Sequence, residues 1–374
     1  MTDDQRKIRV RFRKNRGSRT RQGDLTHRDP DELADLVSDE RLSGKGDLTR
    51  HRTIVGTALS GIASTVRDVD RDGCLEGRVL WAVGANHSCV QLEDGRLFDC
   101  TLRRVVRTME RRSRNAIAAG DRVVIRPSDK TTGVIERIEP RRSTLTREVG
   151  RTAQIIVANV DQAVIVASAS DPPLKPTLID RFLVSCGVGG VRGIVCVNKS
   201  DTIDPVRLQP LIGQYARIGF EVLLTSAESG AGIDRLRQLM TGKSSVFTGQ
   251  SGVGKSSLLN RIQPGLGLRT ATVSGDTGKG RHTTRVAELI PLQCGGWMVD
   301  TPGVRQFRLW SVDTEDVEAY FPEFRPWIAY CKFADCTHTH ETDCAVLSAV
   351  QQGLISALRY ESYMRIREGD EEDE

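Results

Sequence analysis

The chain has 374 residues and a mass of 41.3 kDa, and its 54 Lys and Arg exceed its 49 Asp and Glu to give a formal net charge of +5. A chain of this length typically forms two or three domains. No stretch approaches 18 consecutive apolar residues, which argues against a transmembrane helix, and no apolar segment follows the N-terminus. We therefore expect a cytoplasmic protein that does not contact a membrane.

The two ends of the chain carry opposite charge. Residues 1–52 are polar and lack hydrophobic periodicity, which predicts a disordered basic extension; its first 21 residues hold nine Lys and Arg against two Asp. Residues 368–374 form an acidic tail with six acidic residues and no basic one. A basic arm suits a polyanion such as RNA, because neutralising phosphates releases counterions. The alternative is a solvated tail that only keeps the protein soluble.

Residues 53–145 predict an OB-fold-like β-barrel. Short alternating apolar runs broken by glycine, such as residues 75–83 and 121–125, indicate several short strands. An arginine cluster falls inside this region and favours an RNA-binding domain. Its members are Arg103, Arg104, Arg107, Arg111, Arg112 and Arg114.

Residues 146–306 predict an α/β domain with a mainly parallel sheet, because buried-strand candidates alternate with helix-length segments. The predicted strands are residues 162–168, 193–198, 221–226, 245–249, 287–292 and 296–300. The predicted helices are residues 178–187, 205–218, 231–241 and 255–262. Residues 307–367 predict a mainly helical zinc-binding module with a last helix near 345–367.

A phosphate-binding loop follows the strand at 245–248. Residues 249–256 match the pattern G-x-x-x-x-G-K-[ST] and open a helix, which is the context that the motif requires. Backbone N–H groups wrap the phosphates, Lys255 reaches the β- and γ-phosphates, and the Ser256 hydroxyl binds Mg²⁺. The expected contacts are Gly249, Gln250, Ser251, Gly252, Val253, Gly254, Lys255, Ser256 and Ser257.

Three further strand ends predict that the nucleotide is GTP. Asn198, Lys199, Ser200 and Asp201 follow one strand, and the Asp201 carboxylate can accept both N–H donors of a guanine edge. Ser226 and Ala227 follow another strand, where backbone N–H groups can meet the guanine O6. Asp300 ends a third strand and suits Mg²⁺, while the Gly303 N–H can reach the γ-phosphate.

The order of these motifs predicts a circularly permuted GTPase. Ras-like domains place the phosphate loop first, whereas residues 198–201 and 226–227 here precede it. A parallel sheet permits this order when the original ends lie close enough to be joined.

Hydrolysis is expected to need outside help. Val304 stands where Ras-like enzymes carry a water-orienting Gln, and it cannot hydrogen-bond water, so unaided turnover should be slow. In the loop at 278–285, Thr284 is favoured over Thr283 to complete the Mg²⁺ shell. His282 is the candidate that orients water, with a phosphate or RNA contact as its alternative; Lys255 and His282 are the expected catalytic residues.

A zinc site is predicted near the C-terminus. Cys331, Cys336, His338 and Cys344 provide three thiolates and one imidazole, a closed set that suits one structural Zn²⁺. His340 is the rival histidine. The other six cysteines are scattered and are expected to be buried.

The succession of barrel, permuted GTPase and zinc module resembles the RsgA/YjeQ family of small ribosomal subunit biogenesis GTPases over residues 53–367. The most specific segments are residues 249–257, 280–284, 300–303 and 331–344. The resemblance implies a cytoplasmic bacterial GTPase that the small (30S) subunit stimulates late in its maturation. It also implies an RNA-binding OB domain and a zinc module that touches 16S rRNA. Val304, Arg285 and the long extension depart from the family pattern.

The expected ligands and partners are GTP and GDP with Mg²⁺, one Zn²⁺, and the small ribosomal subunit with its 16S rRNA, bound by a monomer. Three alternatives stay open. They are another ribosome-associated permuted GTPase, an RNA-binding module in which GTP is only structural, and a P-loop kinase.

Overall fold

The structure is a computed structural model in which the chain divides into two compact units. It describes residues 5–11, 51–58, 65–67, 69–84, 87–109, 116–149, 152–266, 287–300 and 316–369. The first unit contains the described residues up to 142, residues 149–159 and the start of the strand at 288. The second unit contains residues 143–148 and the other described residues from 160 onward.

The first unit begins with an antiparallel sheet of β1 (Gln5–Arg11), β2 (His51–Ala58) and β3 (Thr65–Arg67). The whole length of β1 pairs with β2. The expectation of disorder for residues 1–52 is therefore wrong for residues 5–11. A basic strand can satisfy its backbone N–H and C=O groups on a neighbouring strand, even where the sequence offers little apolar surface. Residues 12–50 lie outside the described part of the chain.

Five strands of the first unit form a closed barrel, which confirms the predicted β-barrel. They are β4 (Leu75–Val83), β5 (His87–Leu92), β6 (Leu97–Leu102), β7 (Arg122–Pro127) and β8 (Thr132–Ile138). Their order is β4-β5-β6-β8-β7, and β7 pairs back onto β4 to close the sheet. Alternate residues point inward to a core that includes Val79, Val90, Phe98, Ile125 and Ile135.

The arginine cluster of the barrel is only partly available to a polyanion. Arg103 precedes α1 (Arg104–Met109) and is buried, with its guanidinium bonded to the buried carboxylate of Glu136. Arg103 is therefore engaged in a buried ion pair and is not an exposed contact for a polyanion. Arg107 is exposed, and Arg111, Arg112 and Arg114 lie outside the described residues.

The second unit is built on a parallel sheet with the order β13-β12-β11-β14-β16. Its strands are β11 (Gln162–Ser168), β12 (Arg192–Asn198), β13 (Glu221–Leu224), β14 (Ser244–Thr248) and β16 (Trp297–Asp300). The helices between them are α2 (Pro176–Val188), α3 (Gln209–Arg217), α4 (Ile233–Met240) and α5 (Lys255–Ile262). Three further strands lie in the described residues: β9 (Thr144–Val149), β10 (Thr152–Ala158) and β15 (Glu288–Pro291). β11, β12 and β14 are almost continuously buried, as expected when helices cover both faces of a parallel sheet.

The C-terminal part of the second unit is a helical module with α6 (Arg325–Ile328), α7 (Ala345–Gln351) and α8 (Ala357–Glu368). The single helix predicted near 345–367 is wrong, because α7 and α8 are separate. Gly353 has a φ of +71°, and the N–H groups of Leu354 and Ile355 both bond to the carbonyl of Ala349, which ends α7.

This helical module and the parallel sheet share buried contacts through α2. Val184 of α2 lies in the same apolar cluster as Phe321, Phe324 and Tyr363. A Cβ added at Gly187 would lie 2.6 Å from the ring of Tyr320, so α2 approaches the module closely. Among the described residues, no helix has the length and apolar content needed to cross a membrane.

Candidate functional site: a nucleotide site and a metal site

The predicted nucleotide motifs meet at one edge of the parallel sheet. Asn198 ends β12 and Asp300 ends β16, while Thr225 and Gly249 directly follow β13 and β14. Because these strands are parallel, their carboxyl ends face the same side, which is where ligands bind in such sheets. The four motifs, although far apart in the chain, therefore share one face.

Glycines shape the phosphate loop. Gly249 has a φ of +136°, and a Cβ there would lie 2.1 Å from the carbonyl oxygen of Val166. Gly254 has a φ of +93°, and a Cβ there would lie 2.4 Å from the Asn198 amide nitrogen. Gly254 is also the residue before α5, whose first N–H groups have no partner within the helix and suit a phosphate.

Lys255 lies at the start of α5 and folds over the loop. Its Nζ donates to the carbonyl oxygens of Gly249 and Gln250, both at 2.7 Å. These bonds hold the ammonium group across the mouth of the loop. A phosphate in the loop would meet that positive charge together with the backbone N–H donors.

Asn198 joins three of the predicted motifs. Its Nδ2 donates to the carbonyl of Val253 in the phosphate loop at 2.8 Å. Its Oδ1 accepts from the N–H of Ala227 and from the hydroxyl of Thr225, both at 3.3 Å. The side chain is buried, so it acts as a bridge that holds the segments predicted to read the base against the phosphate loop.

The segment that follows Asn198 forms a tight turn. Lys199 has a φ of +61°, and its Nζ donates to the carbonyl of Asp171 at 2.5 Å. The Ser200 N–H bonds to the Thr225 carbonyl at 3.1 Å, which ties this turn to the end of β13. Asp201 lies in the same turn and is exposed, so its carboxylate is accessible to a nucleotide base that enters the site from solvent. Its contact with guanine stays a prediction.

Two of the predicted Mg²⁺ ligands lie in the described part of the site. Ser256 is the second residue of α5, and Asp300 ends β16, which pairs in parallel with β14. Both are half-buried, and burial raises the pKa of the Asp300 carboxyl. The other residues predicted for Mg²⁺, the γ-phosphate and water, which are Thr283, Thr284, Gly303 and His282, lie outside the described residues, as does Val304.

The predicted zinc ligands converge in the C-terminal module. One ligand atom from each of Cys331, Cys336, His338 and Cys344 lies within 4.8 Å of the other three. The Cys331 and Cys344 sulfurs are 3.9 Å apart, and His338 Nδ1 is 3.5 and 3.4 Å from them. A Zn–S bond of about 2.3 Å in a tetrahedron gives S···S edges of about 3.8 Å, so the set fits one ion.

His338 rather than His340 belongs to this cluster. His338 is buried, whereas His340 is exposed and its Nδ1 contacts the Thr339 hydroxyl at 2.7 Å. Burial raises the pKa of the Cys336 thiol to about 12, so a bound cation is what would keep it a thiolate. Of the other cysteines, Cys100, Cys186 and Cys196 are buried as expected, while Cys74, Cys89 and Cys294 are half-buried.

Two carboxylates that the sequence did not single out lie beside the predicted zinc ligands. Glu318 Oε2 lies 2.9 Å from His338 Nε2, which leaves Nδ1 available for a metal ion. Although burial opposes it, hydrogen bonds from Thr337 and from the Thr339 N–H lower the pKa of Glu341, which braces the turn between Cys336 and Cys344. Neither carboxylate belongs to a spacing motif, so only the folded chain identifies them.

Comparison with known proteins agrees with this geometry. The family model described as RsgA GTPase matches residues 138–310. A curated protein of Moorella thermoacetica, named small ribosomal subunit biogenesis GTPase RsgA, is 46% identical over 72% of this chain and 89% of its own length. The protein of the same name from Chlorobaculum tepidum is 40% identical over 78% of this chain and 97% of its own length.

Two solved structures share the fold. The crystal structure of YjeQ from Thermotoga maritima is 33% identical, covers 80% of this chain and all of its own, and superposes with a TM-score of 0.66. A structure described as YloQ, a circularly permuted GTPase, is 30% identical, covers 81% of this chain and 97% of its own, and has a TM-score of 0.63. A solved relative is thus also described as circularly permuted.

Proposed function

We propose a function from one premise: the chain belongs to the RsgA family of GTPases and is a GTP hydrolase. The further proposal is that it binds the small (30S) ribosomal subunit and hydrolyses GTP to GDP and phosphate late in the maturation of that subunit. The subunit stimulates this turnover. The protein works as a monomer in the cytoplasm, and it contacts 16S rRNA.

The observation that carries the nucleotide part is the position of Asn198. One buried amide contacts both the phosphate loop at Val253 and the segment at Ala227, which supports a single site for the predicted base-reading and phosphate-binding groups. Asp201 reads guanine, and Lys255 stabilises the charge on the transferred phosphoryl group. Mg²⁺ would be held by Ser256 and Asp300 with Thr284 or Thr283, and His282 would orient the water.

Zinc has a structural role in this proposal. The four side chains at 331–344 are the type and number that fill a tetrahedral Zn²⁺ shell, which leaves no position for a substrate. A bound ion would keep the thiols deprotonated and would tie the start of α7, which follows Cys344 directly, to the turn at 331–338.

The ribosomal part is supported by the relatives and by charge. The curated relatives are named for biogenesis of the small ribosomal subunit and match most of this chain. The basic first strand Gln5–Arg11 and the exposed Arg107 supply positive charge of the kind that binds RNA phosphates.

The experiment is GTP turnover by the purified protein alone, with small subunits and with large subunits, with ATP as the nucleotide control. We expect slow GTP hydrolysis that rises many-fold with small subunits only. Lys255→Ala provides the matched inactive protein and should abolish turnover in every condition. Turnover that is indifferent to small subunits would refute the ribosomal part and leave the GTPase intact.

Guanine selection is tested separately with Asp201→Asn. Losing the carboxylate removes the acceptor for the two guanine N–H donors, so the preference for GTP over ATP should fall. The matched control is Asp204→Asn, because Asp204 is also exposed and caps the next turn through the Val206 N–H. An unchanged preference in Asp201→Asn would remove the base-reading role.

A further inference from the structure

A cluster of buried charges joins the GTPase helices to the zinc module. Arg359 of α8 is 1% exposed, and its Nη1 donates to Asp180 Oδ1 of α2 at 2.6 Å. Its Nε donates to Glu323 Oε1 at 2.7 Å. The Tyr215 hydroxyl of α3 donates to the same Asp180 oxygen at 2.6 Å. We call these four residues the Arg359 cluster, and they hold α2, α3 and α8 together.

The buried charges of the Arg359 cluster fix the positions of the helices that carry them, rather than simply adding to the stability of the fold. Desolvating charges is costly, and apolar side chains of similar volume often stabilise a core as well as a buried ion pair does. Burial raises the pKa of Asp180 and Arg359 opposes that rise, so the carboxylate depends on its cation. The planar guanidinium donates in two directions and also lies over the Phe321 ring at 4.5 Å, so only one arrangement satisfies it.

The same turns of α2 also lie beside the phosphate loop. Ile179, one residue before Asp180, and Phe182, two residues after it, line a pocket together with Gly249 and Gln250 of the loop. Asp180 bonds to Arg359 of α8, while Ile179 and Phe182 line the pocket beside the loop. A displacement of Asp180 would therefore move the α2 side chains that border the phosphate loop across this pocket.

We propose that Arg359 is a positioning residue for GTP turnover: by holding Asp180 it keeps α2 against the phosphate loop, so that the zinc module completes the frame of the nucleotide site. Arg359 does not touch the nucleotide and acts through α2. The proposal rests on GTP hydrolysis and not on ribosome binding, so it can fail while the ribosomal function stands, and the reverse.

The test is basal GTP kinetics and GDP affinity in the full-length, zinc-loaded protein. Arg359→Met should raise the KM for GTP and the Kd for GDP by about three- to tenfold, with a smaller change in kcat, because the binding frame is loosened while the reacting groups stay. Arg359→Lys keeps the charge without the two-directional guanidinium and should lie between Arg359→Met and the wild type. The matched control is Arg365→Met, which removes an exposed ion pair with Glu361 on the same helix and should leave KM unchanged.

The double variant Arg359→Met/Asp180→Asn separates positioning from stability. Since both changes break one link, its KM should exceed that of Arg359→Met by little, whereas fully additive effects would overturn the proposal. A folded, zinc-loaded Arg359→Met protein with wild-type KM and GDP affinity would also overturn it, even if it unfolds at lower urea. If Arg359→Met does not fold, Arg359→Lys decides the outcome by the same criterion.

Discussion

The phosphate loop (residues 249–257) and the zinc cluster (Cys331, Cys336, His338 and Cys344) are preorganised for charged ligands in opposite ways. In the loop the donors are backbone N–H groups, and side chains are absent where they would obstruct, as at Gly249 and Gly254. In the zinc cluster the donors are side chains, and Cys331 and His338 approach to 3.5 Å because the backbone folds around them. Ligand binding at the phosphate loop should therefore be impaired by substitutions that add side-chain atoms. Metal binding at the zinc cluster should be impaired by substitutions that remove them.

The difference has a consequence for how each site depends on the rest of the protein. Asn198 secures the phosphate loop with a single hydrogen bond from another strand, so the loop is kept in shape by its neighbours. The zinc cluster needs the metal itself to hold three thiolates together. Substitutions in matched pairs can test both halves of this contrast.

The largest effect is expected from His338→Ala. Structural zinc sites contribute on the order of 10 kcal/mol of apparent binding free energy, so loss of one ligand should release the ion and unfold the module around it. His340→Ala should retain one zinc per chain, since His340 is exposed and outside the cluster. Metal content and limited proteolysis measure this, and equal zinc loss in both variants would contradict the ligand assignment.

Gly254→Ala should weaken GTP binding more than Gly252→Ala. Both residues have positive φ, +93° and +85°, so a side chain costs about 1–2 kcal/mol at either. A Cβ at 254 would also collide with Asn198 Nδ2 at 2.4 Å, whereas the nearest atom at 252 is Pro172 Cδ at 3.6 Å. Titration with GTP measures the pair, and equal affinities would show that the Asn198 contact does not constrain the loop.

Glu318→Gln should lower zinc affinity without abolishing it. Partners that orient a metal-bound histidine typically change metal affinity by about 10–100-fold, and Glu318 lies 2.9 Å from the far nitrogen of His338. Competition with a chelator measures the effect. Glu361→Gln is the control, because its carboxylate is exposed and pairs only with Arg365 among the described residues. The same affinity in both variants would remove the orienting role of Glu318.

The smallest effect is expected from Arg365→Met, which should change the free energy of unfolding by less than about 1 kcal/mol because its ion pair is exposed. Arg359→Met on the same helix leaves Asp180 and Glu323 buried without their cation, which typically costs about 3–5 kcal/mol. Urea unfolding compares the two. A similar loss in the free energy of unfolding of both variants would mean that the buried ion pairs of Arg359 contribute little to stability.

The sequence by itself determined which residues are the candidate ligands for phosphate and for zinc. The phosphate loop is one continuous stretch between a strand and a helix, so residues 249–257 reveal both the loop and its context. The predicted zinc ligands all fall between 331 and 344, close enough for a spacing pattern to identify them, and the fold brings them together. The parallel sheet was predictable as well, because β11, β12 and β14 are buried apolar runs with helical segments between them.

Only the tertiary structure decided how polar residues far apart in the chain are paired. Arg103 belongs to a sequence cluster that indicates RNA, yet it is buried against Glu136, 33 residues away. Arg359 meets Asp180 from 179 residues away, and the burial of His338 beside an exposed His340 supports the histidine that the sequence had already favoured. The same holds for Gly353, whose positive φ divides the predicted last helix. Local patterns report local periodicity and spacing, whereas burial and charge pairing depend on which surfaces the fold brings together.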